Sequence, residues 1–257
     1  MTNPGLARGR LSVLSMDLLA SPAPAAKDVY ALVASQYDVR TLHIEIGAEP
    51  FELLLVRDTN RLLDLVSPQQ FAEDDRLPYW ADLWTSSIDL AGWLLEQKDM
   101  AGKSVLELGA GVGLAGVAAA RAGAQVTLTD YESDALLFAR YNAMINLPAG
   151  AFQQRVQCVP MDWRTPDIGA KFDVIIGADI VYEPKNFVPI LSLLQSHLVP
   201  GGCALLTEPD RTVGQAFLTA VREYPFSLDH AYSSVRREGK TFRISRILLK
   251  YEPVQKT

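Results

Sequence analysis

Val105-Leu-Glu-Leu-Gly-Ala-Gly-Val-Gly113 sets an acid, Glu107, inside an apolar strand-like run and follows it with glycines at 109, 111 and 113. Glycines at alternate positions let a strand end bend tightly and bring its backbone close to a ligand with no Cβ in the way. Glu107 at the mouth of that strand offers negative charge to a cation. A second acid of this kind is Asp179, which directly follows the apolar run Phe172-Asp-Val-Ile-Ile-Gly-Ala178. Ligands of open α/β sheets bind at such carboxyl ends.

Gly111-Val-Gly113-Leu-Ala-Gly116 also matches the dinucleotide fingerprint G-x-G-x-x-G, and spacing alone does not choose between cofactors. A dinucleotide would bring a pyrophosphate to the following helix, where Glu107 would repel it. S-adenosylmethionine carries an ammonium and a sulfonium and no phosphate, and so suits the turn better. Asp130 closes the next strand-like run, Gln125 to Asp130, at the separation where either cofactor would have its ribose hydroxyls held.

These residues need a sheet behind them. Strand signals at 104–108, 125–130, 156–159, 172–178 and 203–208 alternate with helix signals at about 114–122, 132–145, 186–198 and 212–224. That alternation predicts an α/β fold with a mostly parallel sheet and helices on both faces. Gly123 is placed to end the first of those helices, and Leu198-Val-Pro-Gly-Gly202 reads as a sharp stop before the last parallel strand. Ser227 to Val235 and Thr241 to Tyr251 leave no room for a crossover helix, so they should pair as an antiparallel hairpin at the sheet edge. Upstream, Leu42 to Ile46 and Phe51 to Leu55 flank Gly47-Ala-Glu-Pro50 and read as a small β-hairpin. Asp58 to Arg76 reads as a loop with a helical turn, and Ser86 with Asp89 fits a capping box before a helix with apolar Ile88, Ala91, Leu94 and Leu95. The expected organisation is an N-terminal arm over residues 1–27, a hairpin extension over 28–76 and a catalytic domain over 77–257.

Composition narrows the functional classes. A chain of 257 residues buries a substantial core, and a net charge of −6 argues against a broad nucleic-acid face. Two cysteines, Cys158 and Cys203, make no disulfide framework, which points to a reducing cytoplasm. His43, His197 and His230 lie far apart without cysteine partners at ligand spacing, so no metal site is expected. No run approaches the roughly eighteen apolar residues of a membrane span. Asp17 interrupts the apolar stretch of a secretion-signal-like start, which favours an arm over an exported leader. Arg236, Arg237, Lys240, Arg243 and Arg246 read as solvated hairpin charges.

Taken together, Trp80-Ala-Asp-Leu-Trp84, Leu106-Glu-Leu-Gly-Ala-Gly-Val-Gly-Leu114, Asp130, Asn142 with Asn146, Asp162-Trp163 and Phe172 to Glu183 resemble the seven-strand S-adenosylmethionine-dependent methyltransferases. The chain looks most like their protein lysine methyltransferase group, methyltransferase family sixteen, over roughly Leu77 to Tyr251. The resemblance implies a Rossmann-like seven-stranded sheet. It implies that Glu107, Gly109, Ala110, Gly111 and Gly113 meet the methionine part of the cofactor with Trp84 nearby. It places Asp130 at the ribose, Asp162 and Trp163 at the adenine, Ala178 in the cofactor floor, and Tyr131 among the cofactor-binding residues. Asp179-Ile-Val-Tyr182 matches the Asp-x-x-Tyr signature of the lysine-modifying group, making Asp179 and Tyr182 the acceptor-site residues.

Ile180 and Val181 stand where enzymes acting on amide or base nitrogens carry a Pro-Pro turn, which lowers the expectation of base or glutamine methylation. The expected reaction is in-line methyl transfer to a protein lysine, leaving S-adenosylhomocysteine, by a monomer that needs no metal. Its rivals are methylation of a small amine or metabolite, a silent cofactor-binding module, and, more remotely, a nicotinamide dehydrogenase. Trp80 and Trp84, four residues apart, also fit plain core anchors for the helix that follows.

Overall fold

The structure is a computed structural model that describes residues 25–63 and 77–253. The arm expected over 1–27 and the second half of the 58–76 loop therefore lie almost wholly outside the described residues. The first element is a helix that the sequence reading did not anticipate, α1 (Ala26–Gln36), which buries only Val29 and Val33. The hairpin follows as β1 (Val39–Ile46) and β2 (Glu49–Val56), closed by a two-residue turn at Gly47, where φ is 63°. A single turn, α2 (Asn60–Leu63), is the helical turn expected in the loop.

The core begins with a 3₁₀ turn at Tyr79–Ala81 and continues through α3 (Thr85–Glu96), β3 (Ser104–Glu107), α4 (Leu114–Arg121), β4 (Gln125–Asp130), α5 (Ser133–Asn146), α6 (Ala151–Arg155) and β5 (Val156–Pro160). It ends with β6 (Phe172–Ala178), a 3₁₀ turn at Pro184–Asn186, α7 (Phe187–His197), β7 (Leu198–Glu208), α8 (Thr212–Val221), β8 (Phe226–Arg237) and β9 (Lys240–Tyr251). The seven core strands run in the order β5-β4-β3-β6-β7-β9-β8. Strands β5 to β7 are parallel, whereas β9 is antiparallel to both β7 and β8.

Helices cover both faces. One apolar cluster joins the hairpin, α1, α3, α4 and α5 through residues such as Leu53, Leu90, Val117 and Phe138. The other joins α7 and α8 through Leu191, Leu194 and Phe217. Gly123, with φ 98°, ends α4 as expected. Because the chain runs outward from β3 to β5 and then returns to β6 on the other side of β3, the crevice between β3 and β6 is the topological switch point of the sheet. Among the described residues no helix is long and apolar enough to cross a membrane.

Two expectations need correction. Strand β7 starts at Leu198, not at 203, and the expected stop is a bulge inside it: pairing with β6 jumps from Phe172↔Leu198 to Val174↔Cys203. Gly201 takes φ 79° there, and a Cβ on Gly202 would lie 2.9 Å from the Asp173 carbonyl oxygen, so glycines turn the chain without breaking the strand. Ser86 and Asp89 form no capping box. The cap position of α3 is Trp84 and has no side-chain cap bond. Ser86 instead donates to Asp179, while Asp89 is buried and accepts from Ser233, Arg246 Nε (2.7 Å) and Arg246 Nη2 (3.0 Å). Tertiary partners outcompete the helix end.

The same contacts revise the picture of the C-terminal arginines. Arg246 ties β9 to α3, Arg237 donates to the Leu83 carbonyl, and Arg243 pairs with Asp210 and stacks on Tyr232 at 3.6 Å. These are structural cations, not merely solvated ones.

Helix α5 clips the hairpin to the core through two amides. Asn142 Oδ1 accepts from Leu54 N (2.7 Å) and its Nδ2 donates to the Leu54 and Val112 carbonyls (3.2 and 2.9 Å). One turn on, Asn146 Oδ1 accepts from Glu52 N (2.9 Å) and its Nδ2 donates to Glu52 O (2.6 Å). Each side chain mimics a neighbouring strand, satisfying backbone groups on the free edge of β2.

Candidate active site

The carboxyl ends of β3, β4, β6 and β7 surround a cavity of about 620 Å³. Its wall includes Trp84, Glu107, Gly109, Ala110, Gly111, Asp130, Tyr131, Asp162, Trp163, Ala178, Asp179 and Tyr182. The structure thus gathers every expected site residue but one around a single space. Gly113 is the exception. A Cβ there would lie 2.7 Å from Ala139 Cβ, so its glycine serves the packing of α4 on α5, with φ 83° as a second requirement.

The turn after β3 is built for close approach. Gly109 and Gly111 have φ 61° and 52°, and a Cβ on Gly109 would crowd the Trp163 ring and Ile180 at 3.1 Å each. Asp130 fixes the turn from the neighbouring strand: its Oδ2 accepts from Gly111 N and its Oδ1 from Glu132 N, both at 2.8 Å. Burial pushes the Asp130 carboxyl up to about 6 in spite of those two bonds.

Glu107 is only 2 % exposed, and its Oε2 accepts from Gly116 N at 3.0 Å. Burial pushes this carboxyl up to about 8, because one backbone donor offsets little of the desolvation. Burial thus works against the negative charge that its strand-end position suggested. Gly116 allows this contact, since a Cβ there would fall 2.3 Å from Glu107 Oε2 and 2.1 Å from Leu128 Cδ2. The third glycine of the apparent dinucleotide fingerprint thus packs helix against strand.

Beside the turn, Arg164 grips Asp162 through Nε (2.9 Å to Oδ1) and Nη2 (2.7 Å to Oδ2), with its guanidinium 5.4 Å from the Tyr131 ring centroid. Trp80 proves to be a core anchor that packs edge-on to Tyr37, with ring centroids 5.7 Å apart. Trp80 also borders the cavity, as does Trp84, whose indole N–H donates to Tyr79 O at 2.9 Å. Tyr79 in turn meets Trp84 and Tyr182 edge-to-face at 6.1 and 6.0 Å, so three aromatics wall the outer part of the space. Burial pushes the Tyr182 phenol up to about 12, which keeps it protonated at neutral pH.

Asp179 closes the arrangement in a left-handed backbone conformation, φ 58°, unusual for a residue with a side chain. Its N–H donates to Thr207 O at 2.7 Å, which pins the turn to β7. Burial raises its carboxyl above the ordinary value, against the pull of Arg211 and Ser86. Arg211 Nη1 donates to Oδ1, while Arg211 Nη2 and Ser86 Oγ each lie 3.3 Å from Oδ2. Sequence reasoning missed Arg211, Tyr79 and Arg164. The signal for Arg211 was present in Thr207-Glu-Pro-Asp-Arg211, which leaves the carboxyl end of β7 by the same logic that nominated Asp179. Among the described residues no group of three His, Cys, Asp or Glu could hold a metal ion.

Known proteins give this geometry a family. The lysine methyltransferase family matches residues 70–223. The protein N-lysine methyltransferase METTL21A of Danio rerio is 36 % identical over 180 residues, covering 65 % of this chain and 78 % of that one. The histidine protein methyltransferase 1 homolog of Dictyostelium discoideum is 34 % identical over 125 residues, 47 % of this chain and 40 % of that one. Among solved structures, the N-methyltransferase NodS from Bradyrhizobium japonicum in complex with S-adenosylhomocysteine shares the fold, with a TM-score of 0.52 at 15 % identity over 75 % of this chain and 97 % of that one. A family match over more than half the sequence, on a sheet whose switch point holds a glycine turn and converging acids, means that the chain belongs to the lysine methyltransferase family and is an S-adenosylmethionine-dependent methyltransferase.

Proposed function

We propose that the protein methylates a lysine side chain of a partner protein, acting as a monomer in the cytoplasm. The observation that carries the reading is the division of the cavity. A glycine cradle lies at one end, and Tyr79, Trp84 and Tyr182 wall an outer end that Asp179 closes. The inner end fits S-adenosylmethionine: the turn takes positive φ at Gly109 and Gly111, the buried acids Glu107 and Asp130 stand where a phosphate site would need cations, and the Trp163 ring lies close to Gly109. Glu107, Gly109, Ala110 and Gly111 would hold the methionine part beside Trp84, Asp130 and Tyr131 the ribose, Asp162 and Trp163 the adenine, and Ala178 the floor.

Bound there, the cofactor would supply an activated methyl on a sulfonium for displacement by the acceptor nitrogen, with S-adenosylhomocysteine as the leaving group. The protein's contribution is positional. Trp84, Tyr79 and Tyr182 exclude water and confine a long aliphatic stem ending in an amine. Asp179 orients that amine, and Tyr182 stays a neutral phenol beside it.

Protein incubated with tritiated S-adenosylmethionine and a lysate lacking its own copy, then fractionated, tests the reading. A labelled protein band whose label maps to lysine supports it, whereas label confined to small molecules overturns it in favour of the metabolite rival. Asp179→Ala is expected to reduce turnover by about 100-fold while cofactor affinity changes by less than about threefold. Calorimetry beside the turnover assay checks this, and a fully active variant would refute the acceptor placement.

A further inference from the structure

Asp179 does not meet the cavity as a bare acid. Its side chain is 7 % exposed and is forked by Arg211, whose own side chain is 38 % exposed and also lines the cavity. The geometry that aims Arg211 is specific. Its main-chain N–H donates to the buried Glu208 carboxylate at 2.8 Å, and the preceding Asp210 adopts φ 47°. Two further acids of the wall are held in the same manner, Asp162 by Arg164 and Glu183 by Lys185 at 3.2 Å. From the remaining elements, Glu107, Asp130 and Glu132 face the inner end, and Tyr79, Asp82 and Tyr182 the outer. Near the acceptor position the wall thus offers Asp179 paired with Arg211 and Glu183 paired with Lys185, with Asp82 a further carboxylate of the outer wall.

That pairing bears on the chemistry. A lysine arrives mostly as ammonium, with an ordinary pKa of about 10.4, and an ammonium has no electron pair to donate. A free carboxylate beside it would hold the proton on, typically by one to three pKa units (about), whereas a neighbouring cation pushes it off. A guanidinium, with a pKa above about 12, cannot shed its proton in such a place. We infer that Arg211 selects the charge state of the acceptor: by occupying Asp179 it admits an amine that can enter neutral and turns away a guanidinium. The inference rests on the proposed lysine reading. Arg211 is a positioning residue, since it acts through Asp179 and through its charge. The proton shed by the amine passes to solvent at the mouth.

Wild type, Arg211→Gln, Arg211→Lys and Asp179→Asn are each incubated with tritiated S-adenosylmethionine and the same lysate from pH 7 to 9.5. Acid hydrolysates are then resolved into methyl-lysine, methyl-arginine and methyl-histidine. The wild-type rate into methyl-lysine should rise with pH. In R211Q the rising limb should move up by about one pH unit, so that the rate at pH 7.5 falls about tenfold and recovers near pH 9.5. R211K should return the limb to the wild-type position. D179N, which leaves the guanidinium uncompensated, should move it to lower pH whatever it does to the height, and it stands alone as the test if R211Q fails to fold. Cofactor affinity of R211Q by calorimetry should stay within about twofold of wild type. Coincident limbs in R211Q and wild type overturn the inference, as does a D179N limb moved to higher pH. A wild type that yields no methyl-lysine overturns the acceptor reading instead, before any variant is compared.

Discussion

Glu107 keeps its proton well up the pH scale, with a value near 8 against an ordinary 4.5, because it is buried. Below pH 4.5 both folded and unfolded chains hold that proton and the residue contributes nothing against folding. Between 4.5 and about 8 only the folded state keeps it, so stability falls as pH rises through that window. Asp130 acts in the same sense between 3.8 and about 6. Cofactor-free Glu107→Gln should therefore gain on the wild type as pH rises, by about 3 °C or more in Tm at pH 8.5 relative to the difference at pH 4.5. Melting curves across that range check this, and parallel curves would contradict it. The same variant should bind S-adenosylmethionine more weakly. Gly116→Ala is a different kind of change. A methyl 2.1 Å from Leu128 Cδ2 and 2.3 Å from Glu107 Oε2 cannot be accommodated without parting α4 from β3 and β4, at about 2 to 3 kcal/mol. Urea denaturation at pH 7 measures it.

At the level of elements, what the sequence discloses depends on where the deciding contacts lie. Strands β4 and β6 are legible to the residue because each is rich in β-branched residues, apolar and nearly continuous in β6 and alternating with threonine in β4, and each ends on an acid or a small residue next to one. Helix α1 is not. It buries two valines four apart and follows a Pro-Ala tract, so it owes its helix to the hairpin side of the molecule more than to its own pattern. Ser86 and Asp89 have the spacing of a cap whether or not they cap, and only the positions of Asp179 and Arg246 decide the matter. Asn142 and Asn146 stood out as markers of resemblance, yet their work became visible only once β2 lay beside α5. Asn142→Ala would leave the N–H and C=O of buried Leu54 without partners, and is expected to destabilise the fold by about 2 to 3 kcal/mol. Chemical denaturation reads this directly; a loss under about 0.5 kcal/mol would mean that water replaces the amide.

On the scale of the whole molecule, the site is assembled from segments about 130 residues apart, from Tyr79 to Arg211, and each element contributes one or two groups. The glycine turn and Asp179 could be foreseen because each sits at the end of its own strand. Arg211 also follows the end of its own strand, but its partner does not show in the sequence, because the pairing depends on β7 lying beside β6 and on the turn at Asp210. The last two strands are held from beneath by Asp89, whose carboxylate is 3 % exposed on its side chain and takes the fork of Arg246. Arg246→Ala should leave that carboxylate buried and unmatched, with a loss of about 3 kcal/mol.

Asn142 reaches in two directions at once. One end of its amide holds the hairpin at Leu54, and the same nitrogen holds Val112 in the middle of the glycine turn. The N-terminal hairpin and the cofactor cradle are thus braced against one side chain, so a pull on either is transmitted to the other. A bound partner that tugs at β1 and β2 would be felt as a change in how firmly the cradle keeps its shape.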